Sequence, residues 1–172
     1  MQQSHSKNTV SNMQPHIVRM LRTNLLFQFI HTSANLYILL LLPITIFNTI
    51  CFISGFIAYF CFEAFTHKQM HVNTQSPFHK THTNHHLEPT PETGVPEMWV
   101  LYLYLNISIW SLALDLTGLF CFFTSVLLCL SIYEFVHFLC HCNYRPRTKL
   151  GWKIRTNHKL HHHFETSRYE LL

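Results

Sequence analysis

Between residues 25 and 62 the chain carries no Asp, Glu, Lys or Arg, and between 99 and 132 it carries only Asp115. Few soluble folds can use two such stretches, whereas a bilayer core demands them. A membrane span needs about 20 apolar residues, so each run has room for two helices. Pro43 and Asn48 mark a break in the first run, and Asp115, Thr117 and Gly118 mark one in the second. The pattern predicts an all-α integral membrane protein with four transmembrane helices arranged as two hairpins. Both turns are short and nearly uncharged. The N-terminal segment (Lys7, Arg19, Arg22), the middle loop and the C-terminal tail therefore share one side, which the positive-inside rule makes cytoplasmic. Residues 1–22 read as a polar N-terminal segment rather than a cleavable leader, because the apolar run that follows is too long and lacks a small-residue cleavage site. Residues 23–172 read as one domain.

Composition supports burial in lipid. The chain of 172 residues is 48% hydrophobic, 15% aromatic and only 12% charged, which argues against disorder. Its mean hydropathy of +0.12 averages the two greasy runs with polar ends and a polar middle. The net charge of +4 is modest, and its basic residues gather after the last apolar run: Arg145, Arg147, Lys149, Lys153, Arg155 and Lys159. A juxtamembrane basic segment accounts for this better than nucleic-acid binding, and no nucleic-acid partner is expected. The six cysteines lie in or beside the apolar runs with no CxxC pair, so they read as small apolar packing residues. A thiolate ligand from Cys140 or Cys142, which flank His141, is the minor alternative.

The histidines are not spread evenly. His67 with His71, and His137 with His141, stand four apart; His82, His85, His86 and His158, His161, His162 both follow HxxHH. On a helix these spacings put imidazoles on one face, with Cβ atoms roughly 5–6 Å apart. The chain thus contains a loose repeat, in which a pair of spans leads to a helix end with a glutamate and two histidines, then to an HxxHH box. Each half offers five imidazoles expected to aim at a common point, too many together for one ion and suited to two. Imidazole serves Fe, Zn, Cu and Ni. An isolated HxxxH carries little weight, but four boxes in this order mark a metal site. Glu63 and Glu134 precede their histidines by four and three residues, placed either to orient a ring through its second N–H or simply as helix-end charges. His79 and His163 extend the boxes by one histidine each and read as spares or supporting groups; the HHH run at 161–163 leaves a register choice, taken as His161 and His162. His5, His16 and His31 match no spacing and read as incidental.

The boxes "HKQMH", "HTNHH", "HFLCH" and "HKLHH", in this order, resemble those of the fatty acid hydroxylase / sterol desaturase superfamily, and "YEFVHFLCHCNYRPRTKLG" with "NHKLHHHFE" and a following "RY" is especially similar to its second half. The resemblance covers about residues 60–169. It implies helical hairpins under a cytoplasmic histidine-rich cap, and a non-haem di-iron centre that uses O2 and an external electron donor to hydroxylate or desaturate lipids in lipid biosynthesis. It implies iron ligation by His67, His71, His82, His85, His86, His137, His141, His158, His161 and His162, with no catalytic residue beyond them and with zinc able to replace iron on isolation. Two departures stand out: several relatives space the first box one residue wider, and they usually continue past the point where this chain stops, at Leu172, so the hydroxylase-like domain reads as truncated at its C-terminus.

No haem-binding HPGG segment occurs, so a separate cytochrome b5 or ferredoxin-type donor is expected. The basic tail suits an acidic donor, and equally a membrane surface. Two other classes stay open: a histidine-rich metal transporter and a catalytically inactive member that binds metal structurally. Transporters place ionisable ligands inside the spans, where this chain has only Asp115 and His31.

Overall fold

The computed structural model describes residues 15–76, 78–88, 98–142 and 145–163; of residues 15–23 and 98–101 only the backbone is described. Most of the polar N-terminal segment, the loop over 89–97 and the tail beyond 163, including the "RY" of the resemblance, lie outside these residues. The described chain is all-helical: α1 (Pro15–Leu41), α2 (Ile46–Val72), α3 (His79–Leu87), α4 (Met98–Ala113), α5 (Thr117–His141) and α6 (Lys149–His163).

Three of these helices are long and apolar enough to cross a membrane, over Asn24–Leu41, Ile46–Val72 and Thr117–His141. Their surfaces say the same. Leu40 of α1 and Ile46 of α2 are each 83% exposed, and Ile44 in the turn between them is 96% exposed, an arrangement that water penalises and lipid tails accept. The interior is correspondingly polar: Gln28, Asn35, Ser111, Thr124 and Ser125 are almost fully buried, beside Phe120, Cys121 and Leu127. Helices in lipid gain little from hiding apolar groups from one another and pack through small and hydrogen-bonding residues instead. The fourth expected span, α4, has 16 residues. At 1.5 Å per residue it is about 24 Å long, short of the roughly 30 Å hydrocarbon core.

Both breaks fall where the sequence places them, with their edges shifted. Thr45 caps α2 by accepting the Asn48 N–H at 3.1 Å, so Asn48 already belongs to the helix. Its amide then donates to the Pro43 carbonyl (3.2 Å) and accepts from Thr117 Oγ1 (3.3 Å), tying the two turns together. Asp115 takes the left-handed conformation, φ 54°, between α4 and α5, which a short polar side chain tolerates.

α5 is the hub. It packs against α2 along its length, and against α1, α4 and α6; α1 packs on α5 and α4 rather than along α2. Two contact steps fix the directions. Phe29 meets Phe135, with ring centroids 5.6 Å apart, and Thr32 Oγ1 lies 2.7 Å from Ser131 Oγ, so α1 and α5 run antiparallel. Gly118 lies against Phe47 and Cys51, and Gly55 against Phe122 and Ser125, so α2 and α5 run in the same direction. That shared direction delivers the two HxxxH pairs to the same end of the bundle.

At Gly55 the α2 backbone comes close to that of α5. A Cβ there would collide with the Phe122 carbonyl and the Ser125 hydroxyl, whereas at Gly118 it would meet chiefly the exposed ring of Phe47. Backbone cannot yield as a ring edge can. Gly55→Ala is expected to destabilise the detergent-solubilised protein by about 1–3 kcal/mol, the usual range for overpacking, and Gly118→Ala by clearly less. Unfolding followed by circular dichroism checks the ranking; equal losses would contradict the close approach.

Candidate metal centre

The final turns of α2 and α5 carry the two HxxxH pairs, and two short polar helices lie over them. α3 is held to α2 at its start, where His79 Nδ1–H donates to the Met70 carbonyl at 2.7 Å. α6 is capped by Thr148, whose hydroxyl accepts the Gly151 N–H (3.1 Å), and is tied to the end of α5 by Arg155, which donates to the Cys142 carbonyl (3.1 Å). These anchors place one HxxHH box over each long helix.

All ten histidines of the four boxes come together, but not as two separate halves. One group joins His67, His71, His82 and His161; the other joins His85, His137, His141, His158 and His162; within each, the ligand atoms all lie within 4.8 Å of one another. His86 stands at the seam, with Nε2 3.1 Å from His82 Nε2 and its ring stacked on His162 at 4.3 Å. The expectation that each half aims five imidazoles at its own point is therefore corrected. His85 crosses to the second half and His161 to the first. Helical geometry gives the reason. Relative to the first histidine of HxxHH, the i+3 side chain is turned about 60° one way and the i+4 side chain about 40° the other. A box lying over the seam thus keeps its i and i+4 rings on one side and hands its i+3 ring across.

The nitrogens crowd as hydrogen bonding alone does not allow. Nε2–Nε2 separations are 3.1 Å for His67–His161, 3.0 Å for His71–His82, 3.1 Å for His85–His137, 3.2 Å for His137–His141 and 2.8 Å for His141–His158. His137 Nε2 faces two such neighbours, and so does His141 Nε2, yet a neutral ring nitrogen has either one proton or one lone pair to offer. Nitrogens bound about 2.0–2.1 Å from a shared ion stand about 2.9 Å apart at right angles and about 3.3 Å apart at the tetrahedral angle. The observed spacings fall in that range. His162 is half-buried, and neither of its shielded ring nitrogens is paired among the described residues. Each group could hold a metal ion through an all-imidazole donor set; Cys140 and Cys142 belong to neither.

The supporting residues differ. With its proton on Nδ1, His67 donates to Glu63 Oε1 at 3.3 Å, which turns its Nε2 lone pair towards the group. Glu134 is buried beside the site, and its Oε2 has no partner among the described residues. His79 serves the helix anchor, and His163 is exposed and outside both groups.

Outside the spans, burial and the neighbouring imidazoles depress the basicity of the box histidines. His86 and His162 are each lowered to about 3, and His82, His85 and His158 are lowered further, with burial the largest cause in each case. The rings are thus neutral at pH 7 and present lone pairs, as metal ligation requires.

No protein-family model matches this chain, and no curated protein and no solved structure matches it.

Two predictions follow from the geometry. A histidine whose folded pKa lies below its unfolded value of 6.5 leaves the unfolded chain holding more protons between the two values, so acid favours unfolding. The metal-free protein is expected to lose stability as the pH falls through 6.5 and to go on losing it towards about 3. A thermal midpoint that does not drop between neutral pH and about pH 5 would contradict the burial of neutral rings. The crossing makes a sharper forecast for metal content after anaerobic iron loading. His67→Ala with His161→Ala damages one group and is expected to lose one ion, whereas His85→Ala with His161→Ala damages both and is expected to lose both. His163→Ala is expected to keep both ions. Elemental analysis reads all three, and two ions lost from the first pair would undo the grouping.

Proposed function

We propose that this protein is a membrane-bound, O2-dependent oxidoreductase that hydroxylates or desaturates a lipid such as a fatty acyl chain or a sterol, with two non-haem irons held by the two imidazole groups. The observation that carries this reading is the pair of adjoining all-imidazole groups at the end of helices whose outer faces suit lipid. Five nitrogens in one group exceed the four ligands of a structural zinc site, and imidazole is a good ligand for iron. Zinc binds such sites more tightly than Fe(II) and would compete during purification.

Bound there, an iron pair supplies the oxidising power that an unactivated C–H bond requires, given O2 and electrons. The residues hold and orient. The box histidines would fix the ion positions, Glu63 sets the tautomer of His67, and the apolar faces of α2 and α5 lead an acyl chain from the bilayer to the site. In this reading α4 is a short fourth span, and the site and both termini face the cytoplasm. Arg145, Arg147, Lys149, Lys153 and Lys159 are exposed beside the site and form a docking surface for an acidic cytochrome b5 or ferredoxin-type donor.

The test is the lipid profile of a host expressing the chain. An oxygenated or newly unsaturated lipid is expected with the wild-type chain and is expected to vanish with His161→Ala, while cysteine labels at Ser76 and Thr148 react from the same side of the membrane. An unchanged profile from wild-type protein that carries iron and has its donor present would overturn the enzymatic reading.

A further inference from the structure

α1 buries a polar face, as a lipid-embedded helix can, but several of the buried groups are long and have open atoms. Asn24, Gln28, His31, Thr32 and Asn35 are all buried, and they recur at the spacing of one helix face; Leu26 and Ile30, on the other side, are about 60% exposed. Thr32 bonds Ser131 of α5. Its neighbours on the stripe do not pair off in this way. Gln28 is 1% exposed with neither amide atom partnered among the described residues, and His31 is 6% exposed with neither ring nitrogen partnered. Asn35 donates through Nδ2 to the His31 carbonyl at 2.9 Å, which fixes the amide and leaves Oδ1 without a donor. Elsewhere in the bundle the hydroxyls of Ser108, Ser125 and Ser131 are satisfied by carbonyls of their own helices. The open positions on α1 extend from Gln28 to Asn35, about 10 Å along the helix.

We propose that Gln28, His31 and Asn35 form a membrane-buried binding site for hydroxyl groups. The chemistry selects the ligand. Two amides and a neutral imidazole both donate and accept, as an O–H does. From Asn24 onwards α1 has no Lys or Arg, and α4 and α5 have none at all, so an anionic group would find no counter-charge there. Polar groups inside a bilayer are retained where they face a partner or water. Two sources supply the same chemistry: a short file of waters, which could satisfy every open position in turn, or the hydroxyl of a neutral membrane lipid reaching in between α1 and its neighbours. The site is independent of the histidine centre, although the antiparallel contact with α5 sets its Gln28 end towards the His137–His141 turn.

Solid-state NMR of the full isotope-labelled chain in bilayers, with magnetisation transferred from mobile protons to side chains, tests this directly. Transfer from water to the Gln28 amide and the His31 ring supports the water source. Transfer from a lipid hydroxyl in deuterated water, with a neutral hydroxylated lipid retained on purification, supports the lipid source. Either signal is expected to be lost in Gln28→Met and weakened in Asn35→Leu. If neither source reaches these side chains in the wild-type protein, the site is overturned, and that result needs no variant to fold. Iron content is expected to stay unchanged in both variants, which separates this site from the reading of the histidine groups.

Discussion

The close approach of α2 and α5 at Gly55 is the contact on which the rest depends. Two helices separated by more than forty residues of chain run in the same direction, and their backbones approach where one of them has no side chain. Had they run in opposite directions, His67 and His71 would lie at one end of the bundle and His137 and His141 at the other. No later packing of short helices could then reunite them. The hydrogen bond between Thr117 and Asn48 pins the same pair at its far end, so their register is fixed by two unlike contacts, one of shape and one of polarity. A GxxxG-like small-residue rule explains why lipid-embedded helices use such a contact: without a hydrophobic drive between them, close approach supplies the dispersion energy.

The bundle is inverted relative to a water-soluble one, and the inversion is uneven. On α5 the buried serines are satisfied within their own helix, as Ser131 is by the Leu127 carbonyl, while Thr124 Oγ1 and one oxygen of Glu134 stay open. Along α1, amide and imidazole groups point inwards with several atoms open. Helix-internal hydrogen bonding suits serine and threonine, whose hydroxyls reach back to the i−4 carbonyl. Glutamine and histidine are too long and carry their polar atoms away from the backbone, so their presence in a hydrocarbon layer calls for something to bind.

Much of this was legible in the sequence, for identifiable reasons. The charge-free runs gave the helices, and Pro43 and Asp115 gave their breaks, because the cost of charge in lipid and the backbone limits of proline act locally. The HxxxH and HxxHH spacings gave the ring faces for the same reason. What failed were inferences about which face meets which. The exchange of His85 and His161 depends on where the box helices lie relative to the seam, a tertiary fact that box spacing leaves free. The preference of α1 for α5 and α4 over α2 depends on side chains remote in sequence. His31 matches no metal-binding spacing, so box spacing alone passes over it. The usable signal was its company: Asn24, Gln28, Thr32 and Asn35 at helical intervals in a run otherwise free of large polar groups.

The crossing of His85 and His161 has an energetic consequence. α3 has nine residues and α6 has 15, lengths at which helices in water are marginal on their own. α3 has hardly any apolar surface to bury: its sequence HKTHTNHHL offers only one aliphatic side chain, Leu87, and that is exposed. Its order must come from its anchor to Met70 and from what its imidazoles bind. Because each box gives one ring to the opposite group, an ion in either group ties together α2, α3 and α6, or α3, α5 and α6. Neither group can form with one box helix displaced. Metal bound at one group would therefore pre-organise the helices that the other needs, and part of the cost of ordering the cap would be met before an ion reached the other. A centre built from two independent halves would lack this coupling, since each box would then be ordered only by its own ion.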